Sequence, residues 1–212
     1  ELFSFSGWLL ANNIVAALIS RIPHYVVGRV FGAQALGAYS VGFEISQLAH
    51  TELIAPINRA MFPGYSRIVG DAELFRRTWL DANALVARIT LPVAVGVAIL
   101  AGPFVRILLG SNWGEAVPII QVLSFACIAI ALASNTFSAW MALARNYLLT
   151  IVWTARLLTM AVAGYATVVV YDLGLLGVAY AEVLGAFGCL LVALPLVSRT
   201  LKVSPLSYLL GL

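Results

Sequence analysis

Two neighbouring apolar stretches, residues 7–31 and 37–63, contain Arg21, His24, Arg29, Glu44, His50, Glu52, Asn58 and Arg59. Arg21 lies about 15 Å and Glu52 about 16 Å along a helix from the nearer end of their stretches. At about 100° per residue, Glu44, Glu52 and Arg59 project into one sector narrower than about 90°, and His24 follows Arg21 by about one turn. Charge recurring every two turns on one face calls for a wet face, so these residues are expected to line a polar lumen. A histidine in such surroundings either titrates or packs. Farther along, Arg156 and Glu182 reach similar depth from opposite ends of their own stretches. They are candidates for a buried ion pair tying two helices. Arg29, Arg59, Arg88 and Arg106 lie within about two turns of a stretch end and can extend their heads to the polar boundary.

Other chemistries find no support. Ser4, Ser6 and Ser20 have no His and Asp arranged for acyl transfer, and His24 with His50 cannot supply a metal site. No catalytic residue, metal or cofactor is expected. No glycine-rich phosphate loop opens a soluble helix. Cys127 and Cys189 fall in apolar runs and read as small packing residues.

The elements that must position these groups follow from composition. Hydrophobic residues make up 62% of the 212 and charged residues only 10%, with a mean hydropathy of +1.00. A soluble domain carries about 25% charge, so the expected class is an all-α integral membrane protein. Strand alternation is absent, and backbone in hydrocarbon must satisfy its own hydrogen bonds. Six spans are predicted, at about 7–31, 37–63, 81–109, 116–143, 147–171 and 174–198, forming one membrane domain. The polar stretch 64–80 is expected as a cytoplasmic loop carrying a short amphipathic surface segment. Kinks are expected near Pro23, Pro56 and Pro92. The net charge of +3 is too weak and scattered for a nucleic-acid partner.

The loops after spans two, four and six hold Arg67, Arg76, Arg77, Arg145, Arg199 and Lys202, whereas the other loops hold only Glu115 and Asp172. The positive-inside rule assigns the first group, and with it both ends of the chain, to the cytoplasm. A chain opening at Glu1 reads as part of a longer one.

The run Arg21-Ile-Pro-His-Tyr-Val-Val-Gly-Arg-Val-Phe-Gly, then Leu36-Gly-Ala-Tyr-Ser and Glu44-Ile-Ser, resembles the Wzx-type polysaccharide flippases of the multidrug/oligosaccharidyl-lipid/polysaccharide export superfamily. The block Thr51-Glu-Leu-Ile-Ala-Pro-Ile-Asn-Arg-Ala-Met-Phe-Pro-Gly-Tyr-Ser-Arg, ending in Asp71, carries the most specific likeness. Pro103-Phe, Leu109-Gly and Trp113 resemble the family's third-span exit. Where His24 stands the family often has an acid, which places any ion-coupling role there in doubt. The resemblance implies the second of two pseudo-symmetric six-helix lobes, so the partner is a missing N-terminal lobe of the same chain or a partner half. It implies a bacterial inner-membrane protein that moves undecaprenyl-pyrophosphate-linked oligosaccharide from the cytoplasmic to the periplasmic leaflet, among membrane lipids and other polysaccharide assembly proteins. Under it, Arg21 and Arg59 are placed to hold pyrophosphate oxygens bidentately. Glu44 and Glu52 would neutralise those arginines or titrate, and Asn58, Gln47 and Tyr25 would meet sugar hydroxyls. Competing expectations are a cation-coupled small-molecule exporter, favoured by an apolar cavity with one carboxylate, and a non-transporting scaffold, in which every intramembrane charge is paired. A membrane-embedded glycan enzyme is a further one, which needs a larger outer loop.

Overall fold

The computed structural model describes residues 2–203; side chains are described from Gly7 onward, Leu9 excepted. Every long element is helical. Helix α1 (Leu2–Val30) turns at Phe31 into α2 (Gly32–Leu48), a tight reversal that Gly32 permits with φ +87°. A π-helical turn (Ala49–Ile54) joins α2 to α3 (Ala55–Ile68) without breaking the rod. Then come α4 (Ala72–Leu108), α5 (Ala116–Ala142), α6 (Asn146–Gly164), which continues into a second π turn (Tyr165–Val170), and α7 (Gly174–Leu201).

Four of these rods are long and apolar enough to cross a membrane: Ala72–Leu108, Ala116–Ala142, Asn146–Val170 and Gly174–Leu201. The first two predicted spans coincide with α1 and with α2–α3, whose mid-helix polar residues dilute their hydropathy. The stretch 64–80, expected as a loop carrying a short amphipathic segment, is helical up to Ile68 and again from Ala72, where the amphipathic turns are the start of α4. Asp71 explains the restart: its carboxylate accepts from the backbone N–H groups of Glu73 (3.1 Å) and Leu74 (3.0 Å), capping α4. Within the same first turn, Glu73 is bound by Arg76 and Arg77, each at 2.8 Å, and the two guanidiniums hold the pKa of its carboxyl down at about 2. Phe75 and Trp79 bury the opposite face of the same turns, so the segment is amphipathic.

Helix α5 is the central rod, flanked by α2, α3, α4 and α7. Its buried positions are mostly small, among them Ala126, Ala129, Ala131 and Ala133. Without a hydrophobic drive between helices in lipid, close approach through small residues supplies the packing. The α6–α7 seam shows the same device. A Cβ on Gly185 would stand 2.9 Å from Met160 Cβ and 3.3 Å from the Arg156 carbonyl oxygen. Helix α1 lies at the edge, against α2 and α6, and is tied to α6 by Thr150 Oγ1 donating to Asn12 Oδ1 at 2.9 Å.

Candidate functional site: a charged strip on the first two rods

Helix α1 presents three different sectors. Ile19, Pro23 and Val27 point into the bundle and are buried. Leu18, Ile22 and Tyr25 form an exposed apolar sector. Asn13, Ala17, Ser20, Arg21, His24 and Gly28 share the third sector, about 100° wide. That strip is open from Asn13 to Arg21, and α2 covers it from His24 onward, where Gly28 meets Leu36.

The second rod keeps its faces aligned through the π turn. Gly42, Ser46, Ile54 and Asn58 are buried, with His50 half-buried between them. Such a four-residue repeat over sixteen residues would drift by about 160° around an α-helix. The wider π turn takes up the surplus, with Ala55 donating its backbone N–H to the His50 carbonyl five residues back. Pro56 favours this, since it has no N–H for the Glu52 carbonyl and its ring would crowd that oxygen. The outcome is a second exposed series, Glu44, Glu52 and Arg59, at steps of about 12 Å and 10 Å along the rod.

The structure therefore separates the predicted site residues into three groups. Arg21, Glu44, Glu52 and Arg59 are exposed, and among the described residues none of them is in an ion pair. His24 and Asn58, expected in the lumen, turn inward. The His24 ring stands edge-on to Tyr39 (centroids 5.2 Å) and to Phe43 (5.3 Å), and its Nδ1 donates to the Ser20 carbonyl at 3.1 Å. Asn58 is buried and donates to Ser134 Oγ at 2.7 Å, tying α3 to α5. Two turns of rod beyond, Tyr65 donates to Asn135 Oδ1 at 2.8 Å and repeats that tie. Of the residues expected at sugar hydroxyls, Gln47 is buried and Tyr25 is 72% exposed.

The third group is the deep pair. Arg156 Nη2 donates to Glu182 Oε2 at 3.0 Å, with side-chain exposures of 13% and 3%. On the α1–α2 seam, Tyr39 packs its ring against His24. Tyr39, fully buried, is the member that sequence reasoning missed. Its signal was the i, i+4 aromatic pair with Phe43, whose ring stacks at 6.4 Å.

An all-helical membrane protein whose first two rods expose a strip of charge, and whose remaining deep charges are paired inside, is the class that this geometry defines. The chain belongs to the polysaccharide biosynthesis protein family, whose sequence pattern matches residues 1–118, the region that carries the whole strip. It is 26% identical over 141 residues to the lipopolysaccharide biosynthesis protein WzxC of Escherichia coli (strain K12), covering 66% of this chain and 29% of the relative. The teichuronic acid biosynthesis protein TuaB of Bacillus subtilis (strain 168) is 26% identical over 145 residues, or 68% of this chain and 30% of that protein. A Shigella flexneri protein named for O-antigen transport is 31% identical over 180 residues, 84% of this chain and 42% of its own length. The chain thus spans less than half the length of each of these relatives. No solved structure matches it.

Proposed function

We propose that the chain is one six-span lobe of a flippase that carries undecaprenyl-pyrophosphate-linked oligosaccharide across the bacterial inner membrane, cytoplasmic to periplasmic leaflet, with both ends of this chain cytoplasmic. In this reading α1 and the α2–α3 rod are the two spans that complete the six, and their charged strip faces a water-filled cavity shared with a second lobe. One observation carries it. Arg21 and Glu52 stay on the outer surface of the bundle, with Glu44 and Arg59 exposed nearer the ends of the second rod, while Arg156 and Glu182, as deep in sequence as Arg21 and Glu52, are paired within. Hydrocarbon solvates neither Arg21 nor Glu52, so their surface calls for water and a facing protein wall. The same contrast argues against a scaffold, in which every such charge would be paired, and the two arginines argue for an anionic cargo over a cationic one.

Each residue has a role on chemical grounds. Arg21 and Arg59 hold the two phosphates through the planar guanidinium fork. Glu44 and Glu52 neutralise those guanidiniums when no cargo is present. His24 and Asn58 brace the strip from behind.

The test is Arg21→Gln and Glu52→Gln, separately, in the intact transporter. For Arg21→Gln the lost charge-assisted contact is worth about 1.5–3 kcal/mol, or roughly 10- to 100-fold in cargo affinity, whereas Glu52→Gln leaves the guanidiniums unbalanced between cargoes. Surface polysaccharide is expected to fall while lipid-linked oligosaccharide accumulates facing the cytoplasm. Unchanged export at unchanged protein level in both variants refutes the proposal.

A further inference from the structure

At one end of the bundle the start of α4, the α5–α6 turn and the end of α7 enclose a pocket of about 530 Å³. Phe75, Leu143 and Leu201 give it apolar walls, and Arg76, Arg145 and Lys202 bring three cations from three separate parts of the chain. Glu73 also lines it, but its carboxylate is already engaged by Arg76 and Arg77. Three cations and one carboxylate leave two positive charges, and among the described residues neither Arg145 nor Lys202 is in an ion pair.

The backbone is held in an uncommon conformation to place these cations. Among the described residues only Ala144, Asp172 and Lys202 are non-glycine residues with positive φ. Ala144 (φ 54°) immediately precedes Arg145, and Lys202 (φ 54°) is itself the residue that ends α7. Left-handed backbone costs such residues roughly 1–2 kcal/mol each. Strain of this kind persists where the surrounding structure imposes it, and it gathers at binding sites. The depth is also defined. Arg145 directly precedes α6, and Lys202 follows the apolar run of α7 by little more than a turn, so both stand where hydrocarbon gives way to headgroups.

We propose that this pocket binds the phosphate headgroup of an anionic lipid. Arg145 and Lys202 take the phosphate oxygens, Arg76 adds long-range attraction while holding Glu73, and the apolar walls receive the first carbons below the phosphate. Basic pockets between membrane helices bind acidic headgroups by this combination. The phosphate can belong to a bilayer phospholipid or to an isoprenyl pyrophosphate, and the assay separates the two.

The experiment is native mass spectrometry of the complete native protein released from nanodiscs of equal phosphatidylglycerol and phosphatidylcholine. Wild type is expected to retain phosphatidylglycerol selectively. At roughly 5-fold per surface cation, Arg145→Gln with Lys202→Gln weakens retention by about 25-fold. The charge-keeping pair Arg145→Lys with Lys202→Arg retains the lipid, as does Arg199→Gln, a change at the same end but outside the lining. Added geranylgeranyl pyrophosphate displaces the lipid if the site serves isoprenyl pyrophosphates, and leaves it in place if the site serves bilayer phospholipid. Equal retention of the two phospholipids by wild type overturns the proposal. So does full retention by the double glutamine variant, or equal loss in the charge-keeping pair.

Discussion

Replacing Glu182 with glutamine removes a charge from a side chain that is 3% exposed and lies 3.0 Å from the Arg156 guanidinium. Arg156 itself is only 13% exposed, and among the described residues its Nε has no hydrogen-bond partner. Glu182→Gln therefore leaves a cation that neither water nor a carboxylate compensates. Breaking a buried pair from one side costs about 3–5 kcal/mol. The glutamine oxygen can still accept one hydrogen bond, which places the expected loss near ~3 kcal/mol. For a chain of this size that corresponds to a fall in Tm of about 6–12 °C. Arg156→Gln in the same background removes the stranded charge, and the pair of neutral amides should recover most of the loss. Thermal unfolding in detergent of the wild type, both single variants and the double variant closes a mutant cycle, with an expected coupling of about 4–5 kcal/mol. A single-variant shift within about 1 °C, or additive losses in the double, would show that the pair does not hold α6 to α7.

Two further perturbations probe the packing and the phase of the rods. Gly185→Val drives a branched side chain into Met160 Cβ and the Arg156 carbonyl, and should cost at least about 1–3 kcal/mol in the same thermal assay; a neutral result would mean that the α6–α7 seam yields freely. Deleting Thr51 removes the surplus residue of the first π turn, so an ordinary α-helix can join α2 to α3 with Asn58 still facing Ser134. The expected product folds with nearly unchanged Tm but re-aims Glu52 and loses export. Collapse of folding would show that the π turn is not a simple one-residue insertion.

What the sequence made legible depended on signals that survive without partners. The scarcity of charge and the roughly 20-residue apolar runs point to membrane helices, since a bilayer constrains length and polarity more sharply than water does. Arg156 and Glu182 are matched from depth alone, and in the structure they meet. The inward turn of His24 and Asn58 was not legible, because a helical wheel gives a direction but not what stands there. For Asn58 the partner is Ser134, 76 residues away in sequence. The π turn left a trace in the four-residue spacing Gly42, Ser46, His50, Ile54, Asn58, yet a fixed 100° rule smooths over it. The amphipathic segment expected within 64–80 is legible, but that its helix is the first turns of α4 is not. Its polarity resembles a loop, and only the Asp71 cap with the Glu73–Arg76–Arg77 cluster shows that polar residues can continue a helix past the apolar region.

In the proposed flippase the three sectors of α1, apolar and exposed at Leu18, Ile22 and Tyr25, buried at Ile19 and Val27, polar and exposed at Asn13, Ser20 and Arg21, would make that helix a line along which oil, protein and water meet. A molecule with a hydrocarbon tail and a charged head is stable only at such a boundary, because either bulk phase leaves one of its ends badly solvated. In a flat bilayer that boundary lies in the plane of the membrane. Along α1, in that reading, it would be turned upright and run parallel to the helix axis. An amphiphile following it could change leaflet with its tail always in oil and its head always wet, so the barrier to flipping would be set by the continuity of that line and not by the cost of burying the head.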